Sequence, residues 1–129
     1  MAKPKKCITP QDAEKLFTHW SKTRGETLKE SLGEHDTCEF NLNISELREY
    51  LDYVEEESRK QGISNPGVRL YFGAYDASKS DKTTFFLAPT KGKTASTSRG
   101  GGDDDDENNY NIDAWNTHEG GWPPQSYNP

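Results

Sequence analysis

Long apolar runs are missing from this sequence. No stretch approaches the ~18 consecutive apolar residues needed to cross a bilayer, so a membrane span is not expected. Met1-Ala-Lys-Pro-Lys-Lys begins with the basic character of a secretory leader, but no apolar core follows it, and a cytoplasmic location is expected. Cysteine is scarce: Cys7 and Cys38 are the only two, expected to be free thiols in a reducing compartment, with a disulfide open only if a leader has been removed. Apolar residues make up 29% of the chain, whereas globular chains reach ~45–50% on a count that includes glycine.

The scarcity is uneven. Residues 91 to 129 contain no Leu, Val, Phe or Met and a single Ile. Residues 1 to 90 hold nearly all the aliphatic side chains, so that part can build a small core, while the remainder is expected to lack the apolar surface that offsets its own ordering entropy. The expected division is a domain over 1–90 and a flexible acidic tail over 91–129, rich in Gly, Asp and aromatic residues. Net charge is -6: the first 90 residues contribute -2 and the last 39 contribute -4. An acidic chain with an acidic tail is poorly matched to nucleic acid, whose phosphates draw their affinity from clustered Lys and Arg.

Within 1–90 the periodicities are clear. Thr9-Pro10-Gln11-Asp12 opens a helix, with Thr9 as cap and Pro10 at a position that tolerates a missing N–H. Ala13, Leu16, Phe17 and Trp20 then form one apolar stripe, and Gly25 is a plausible stop. Residues 27 to 33 extend the helical region or leave it, and 34 to 37 read as loop. Phe40, Leu42 and Ile44 alternate with Asn41 and Asn43 as in a strand. Asn43-Ile44-Ser45-Glu46 resembles a capping box for a second helix, whose apolar line is Leu47, Leu51 and Val54 with Tyr50 nearby, ending at Gly62. Val68 to Tyr75 and Thr83 to Thr90 read as strands joined by a long polar connection, with Pro89 near the end of the second. The expected fold is α+β: two helices packed on a small three-stranded mixed sheet with a C-terminal β-hairpin, followed by a disordered tail; the alternative omits the first strand and leaves a helix pair on a hairpin.

The segments Tyr50-Leu51-Asp52-Tyr53-Val54-Glu55-Glu56-Glu57, Asn65-Pro66-Gly67-Val68-Arg69-Leu70-Tyr71-Phe72-Gly73-Ala74-Tyr75 and Phe86-Leu87-Ala88-Pro89-Thr90 resemble small uncharacterised α+β proteins of Bacteroidetes-type bacteria. Asn109-Tyr110-Asn111-Ile112-Asp113 and Gly121-Trp122-Pro123-Pro124 are similar too. The resemblance covers about half the chain and implies a bacterial domain; that group has no assigned activity.

Motifs that carry chemistry are few. Cys7, His35 and Cys38, with His19, are weak candidates for a zinc site, since only His35 and Cys38 have a ligand-like spacing. From Asp105, the residues Glu107, Asn109 and Asp113 fall at calcium-loop positions, but Tyr110 replaces the glycine of the turn and Asn116 replaces the closing glutamate. His19, His35 and His118 lie in a helix, a loop and the tail, with no hydroxyl or thiol set beside them as a nucleophile. No phosphate-cradling glycine loop is present, because Gly100-Gly101-Gly102 leads into aspartates. These readings point away from an enzyme and imply no cofactor.

What remains is a binding surface. Arg69, Tyr71, Tyr75 and Phe86 occupy one face of the expected sheet. If both helices pack on the opposite face, they form an exposed platform; if each face takes one helix, they rim the core. Trp115, Trp122 and Tyr127 are aromatics in a segment without a core, able to dock on the chain's own sheet, on a second copy or on a partner, and the proline pair before Tyr127 suits an extended ligand. The expected function is a non-enzymatic protein-binding or adaptor module with a tethered tail motif, partnered by another protein or by itself. The alternatives are a small Cys/His zinc regulator and a small-molecule sensor with its ligand between sheet and helix.

Overall fold

The computed structural model describes residues 1–75, 82–92, 106–116 and 127–129. Its elements in chain order are helix α1 (Pro10–Trp20), a π-helical turn (Ser21–Gly25), α2 (Glu26–Leu32), α3 (Ile44–Lys60) and strands β1 (Gly67–Ala74) and β2 (Thr83–Thr90). The architecture is mixed α+β.

α1 starts as its sequence dictates: the Thr9 hydroxyl accepts a hydrogen bond from the Asp12 N–H at 3.1 Å, and Pro10 opens the first turn. The helix does not stop at Gly25, which has ordinary right-handed angles. It widens into a π turn over Ser21–Gly25, resumes as α2 and ends at Gly33, whose φ of 83° is the left-handed conformation that favours glycine. An added Cβ at Gly25 would sit 3.2 Å from Trp20 Cζ3, so this glycine serves to let the indole lie against its own helix. No residue of α1, the π turn or α2 is buried.

α3 begins at Asn43, whose side-chain oxygen accepts from the Glu46 N–H at 3.0 Å. It ends in a Schellman motif: the Ile63 N–H donates to Ser58 O, the Gly62 N–H donates to Arg59 O, and Gly62 has a φ of 74°. The buried line of α3 is Tyr50, Val54 and Ser58, with Leu47 half-buried beside it. Leu51, expected on that line, is exposed, and Tyr50 takes its place.

β1 and β2 pair antiparallel from Gly67↔Thr90 to Ala74↔Thr83. Among the described residues the sheet has these two strands, not three. Among the described residues the strand expected over Phe40–Ile44 is reduced to an isolated β-bridge at Phe40: Ile44 is the first residue of α3, and Phe40 packs edge-on against Phe85 with ring centroids 4.8 Å apart. The loop before it is pinned to β2 by Asp36, which is buried and accepts from the Thr37 N–H at 2.8 Å and the Thr83 N–H at 2.7 Å, and also from the Thr83 hydroxyl.

The main departure from expectation lies beyond residue 90. Residues 106–116 lie along the free edge of β2, bridging antiparallel at Thr90↔Asn108 and Leu87↔Trp115. The Leu87 and Trp115 backbones exchange both bonds, at 2.8 and 2.9 Å, the Asn109 N–H donates to Pro89 O, and the Lys91 N–H donates to Glu107 O. Asn108 to Trp115 spans what Leu87 to Thr90 spans, so the segment bulges between its two bridges. Pro89 faces that bulge, where its missing N–H leaves no partner unsatisfied. The bulge turns on Asn109: its side-chain oxygen accepts from the Asn111 N–H at 3.0 Å, and its amide donates to Gln61 Oε1 at 2.9 Å.

That turn drives Ile112 inward. Ile112 is 4% exposed and joins Tyr50, Val54, Phe85 and Leu87 in the apolar core. The expected boundary at residue 90 therefore does not hold for 106–116: the one Ile of the C-terminal part is a core residue. The expectations of flexibility over 93–105 and 117–126 lie outside the described residues. Tyr50 completes the join. Its hydroxyl donates to Asp113 O at 2.8 Å and its ring stacks on Trp115 at 5.9 Å.

Two outcomes follow. Ile112→Ala is expected to cost about 2–5 kcal/mol in urea unfolding, as for other core aliphatic truncations; a core confined to residues 1–90 would lose almost nothing. Burial, then the neighbouring Tyr53 and Asp113, pushes the Tyr50 phenol up to about 12. A raised value in the folded state favours the neutral phenol, so this contribution to stability is complete below the unfolded value of about 10 and is lost as pH rises from there towards about 12. Alkaline titration followed by phenolate absorbance should show one late-ionising tyrosine, absent in Tyr50→Phe.

Candidate functional site: the β1 edge and the groove beside it

In the β1–β2 register, Val68, Leu70 and Phe72 lie opposite Pro89, Leu87 and Phe85. They therefore share the core face of the sheet. α3 and Ile112 cover the β2 half of that face, where Phe85 and Leu87 are buried. The β1 half is uncovered: Val68 is 39% exposed, Leu70 54% and Phe72 77%.

The backbone of the same residues is unpaired. Leu87 directs both its N–H and C=O to Trp115, and Pro89 its C=O to Asn109, so the odd-numbered residues of β2 face the 106–116 segment. Alternation along an antiparallel ladder then turns Val68, Leu70 and Phe72 away from β2, and no described backbone group bonds to them. Among the described residues β1 is an edge strand, with unpaired backbone groups and exposed apolar side chains at the same positions.

The opposite face holds the expected platform, and the structure spends much of it internally. Arg69 donates to Asn108 Oδ1 at 2.7 Å and to Asp106 O at 2.8 Å. Tyr71 stacks on Phe86 at 5.2 Å, and its hydroxyl accepts from the Asn108 amide at 2.8 Å. That bond, then the one from Arg69, draws the Tyr71 phenol below its usual value. The Tyr75 hydroxyl donates to Asn116 Oδ1 at 2.9 Å. Arg69, Tyr71, Tyr75 and Phe86 are all half-buried, and three of them bond to residues of the 106–116 segment. Trp115 is half-buried between Tyr50 and Phe85 and acts as packing. Tyr127 is exposed, and Trp122 lies outside the described residues.

The zinc candidates do not converge. Among the described residues no group of three or more His, Cys, Asp or Glu side chains could hold a metal ion. Cys7 and His35 are exposed, and Cys38 is half-buried with burial, then Glu39, pushing its thiol up. The calcium-loop spacing also has another use: Asn109 is committed to Gln61 and Asn111, and Glu107 sits 3.8 Å from Lys91 Nζ. No described helix is long and apolar enough to cross a membrane.

Beside the β1 edge lies a groove of about 710 Å3 between the helical arm and the end of the sheet. Phe17, Trp20 and Leu28 form one wall, and Phe40 and Phe72 form the other. A ligand between sheet and helix was among the alternatives read from the sequence, but the residues of neither feature were. The alternation of Val68, Leu70 and Phe72 was visible, but the uncovered half of the sheet follows from α3 sitting over β2. No family model, curated protein or solved structure matches the chain.

Thiolate chemistry offers a check on the local geometry. Cys38 in a Cys7→Ser background should react with iodoacetamide at pH 8 more slowly than Cys7 in a Cys38→Ser background, because its raised value lowers the thiolate fraction. Equal rates by mass spectrometry would mean that the 36–40 loop does not pack as described.

Proposed function

We propose that this protein is a non-catalytic protein-binding module whose partner adds an extended strand to β1. The observation that supports this reading is the coincidence, at Val68, Leu70 and Phe72, of outward-facing backbone groups and exposed apolar side chains. Backbone bonds from an added strand supply affinity, and alternate side chains supply selectivity. β1 itself carries no edge-protecting residue: it has no proline and no inward-pointing charge, and its one ionic residue, Arg69, is turned to the other face and tied to the 106–108 segment.

The partner is an extended, apolar segment of another protein. Peptides selected from a random library on the immobilised full chain should be rich in alternating apolar residues. Leu70→Lys and Phe72→Lys should each weaken them by about tenfold or more, the scale of losing one well-buried apolar contact. N-methylation of alternate peptide amides should abolish binding in one phase and spare it in the other, because only one set of amides meets β1. Peptides that bind both Lys variants as well as the natural chain, or that tolerate methylation in both phases, would overturn the reading.

A further inference from the structure

The groove between the helical arm and the sheet has a composition that selects its occupant. Its volume of about 710 Å3 falls within the range of small-molecule sites. Apart from Thr37, Cys38 and Thr83, its side chains are apolar or aromatic, with one ion among them, Arg24. The Arg24 guanidinium donates to the Thr23 hydroxyl at 3.3 Å and makes no ion pair among the described residues, although the chain as a whole is acidic. Arg24 is exposed and therefore stands at the mouth, while Phe17, Trp20 and Leu28 are half-buried.

The wall that carries Arg24 is built unusually. Ser21–Gly25 forms a full π turn inside what would otherwise be one continuous helix from Pro10 to Leu32. Such turns are rare, and they concentrate at functional sites. This one lies between Trp20 and Leu28, and Gly25 makes room for the Trp20 ring at 3.2 Å. No residue of the apolar stripe of α1 is buried, and its two aromatic members, Phe17 and Trp20, line the groove.

We infer that the groove binds a small amphipathic carboxylate, with its apolar body between Trp20 and Phe72 and its head group on Arg24. A guanidinium pairs a carboxylate through two parallel hydrogen bonds, and the aromatic walls take the chain or ring behind it. The site stands apart from strand addition at β1: Arg24, Trp20 and Phe17 belong to the helical arm, and only Phe72 is shared.

Decanoate and decanol distinguish head group from tail. Titrated into the full chain and followed by calorimetry and by amide NMR shifts, decanoate should saturate at one equivalent, with shifts concentrated at Phe17, Trp20, Phe40 and Phe72. Decanol should bind about tenfold more weakly, the worth of one charge-assisted contact. Arg24→Gln should remove that tenfold difference while leaving decanol unchanged, and a folded spectrum of this exposed-site variant confirms that the loss is local. Trp20→Ala should weaken both ligands. Leu70→Lys, which damages strand addition, should leave decanoate affinity intact, so failure here and failure at β1 can be told apart. Equal affinity for the two ligands, an Arg24→Gln chain that binds decanoate undiminished, shifts that map elsewhere, or no saturable binding would each overturn the inference.

Discussion

The structure depends on the insertion of Ile112 into the core formed with Tyr50, Val54, Phe85 and Leu87. A two-stranded hairpin alone is at best marginally stable in water, and its apolar face here is closed by α3 and by a further segment. The third layer of contact comes from a segment that begins more than a dozen residues after β2 ends. Its backbone adds to the edge of β2, its isoleucine enters the core, and its Trp115 closes one end against Tyr50 and Phe85. The buried Asn109 makes this geometry specific, because a bulge of that shape needs a side chain that can bond both its own turn and the end of α3. One core polar group stands outside such logic: the Ser58 hydroxyl is fully buried without a hydrogen-bond partner, and its small size, rather than its polarity, suits the close approach there.

Much of this was legible in the residues. Thr9-Pro10 and Asn43 through Glu46 announce their helices through capping chemistry that local structure reproduces. The β-branched and aromatic runs at 68–75 and 83–90 become strands in the expected antiparallel sense. Errors arose where distant contacts outweigh local pattern. Phe40 alternates like a strand residue but is claimed by Phe85. Gly25 resembles a helix stop but serves Trp20, and the positive φ appears at Gly33 instead. Tyr50 outcompetes Leu51 for the interior because its hydroxyl finds Asp113.

The C-terminal part was misjudged for a physical reason. Average composition over 91–129 is too polar for a core, yet a core needs only one residue from that stretch if the backbone around it is paired. The signal was present in a lone Ile112 three residues before Trp115, with Asn109 and Asn111 supplying turn chemistry upstream. The same arrangement explains where apolar surface is left over. The segment covers the β2 edge, α3 covers the β2 half of the sheet, and β1 and the helical arm are left with bare side chains facing solvent and one another. Strand addition and the groove are thus two consequences of one lopsided covering.

Amide hydrogen exchange on the full chain addresses this most directly. The N–H groups of Leu87, Lys91, Asn109 and Trp115 form the bonds that join the segment to β2. If the segment is part of the folded unit, these four should exchange as slowly as the β1–β2 ladder, since all open in the same global unfolding event. Rapid exchange at Asn109 and Trp115 beside a protected β1–β2 ladder would show that the segment is an appendage and that the core closes without it.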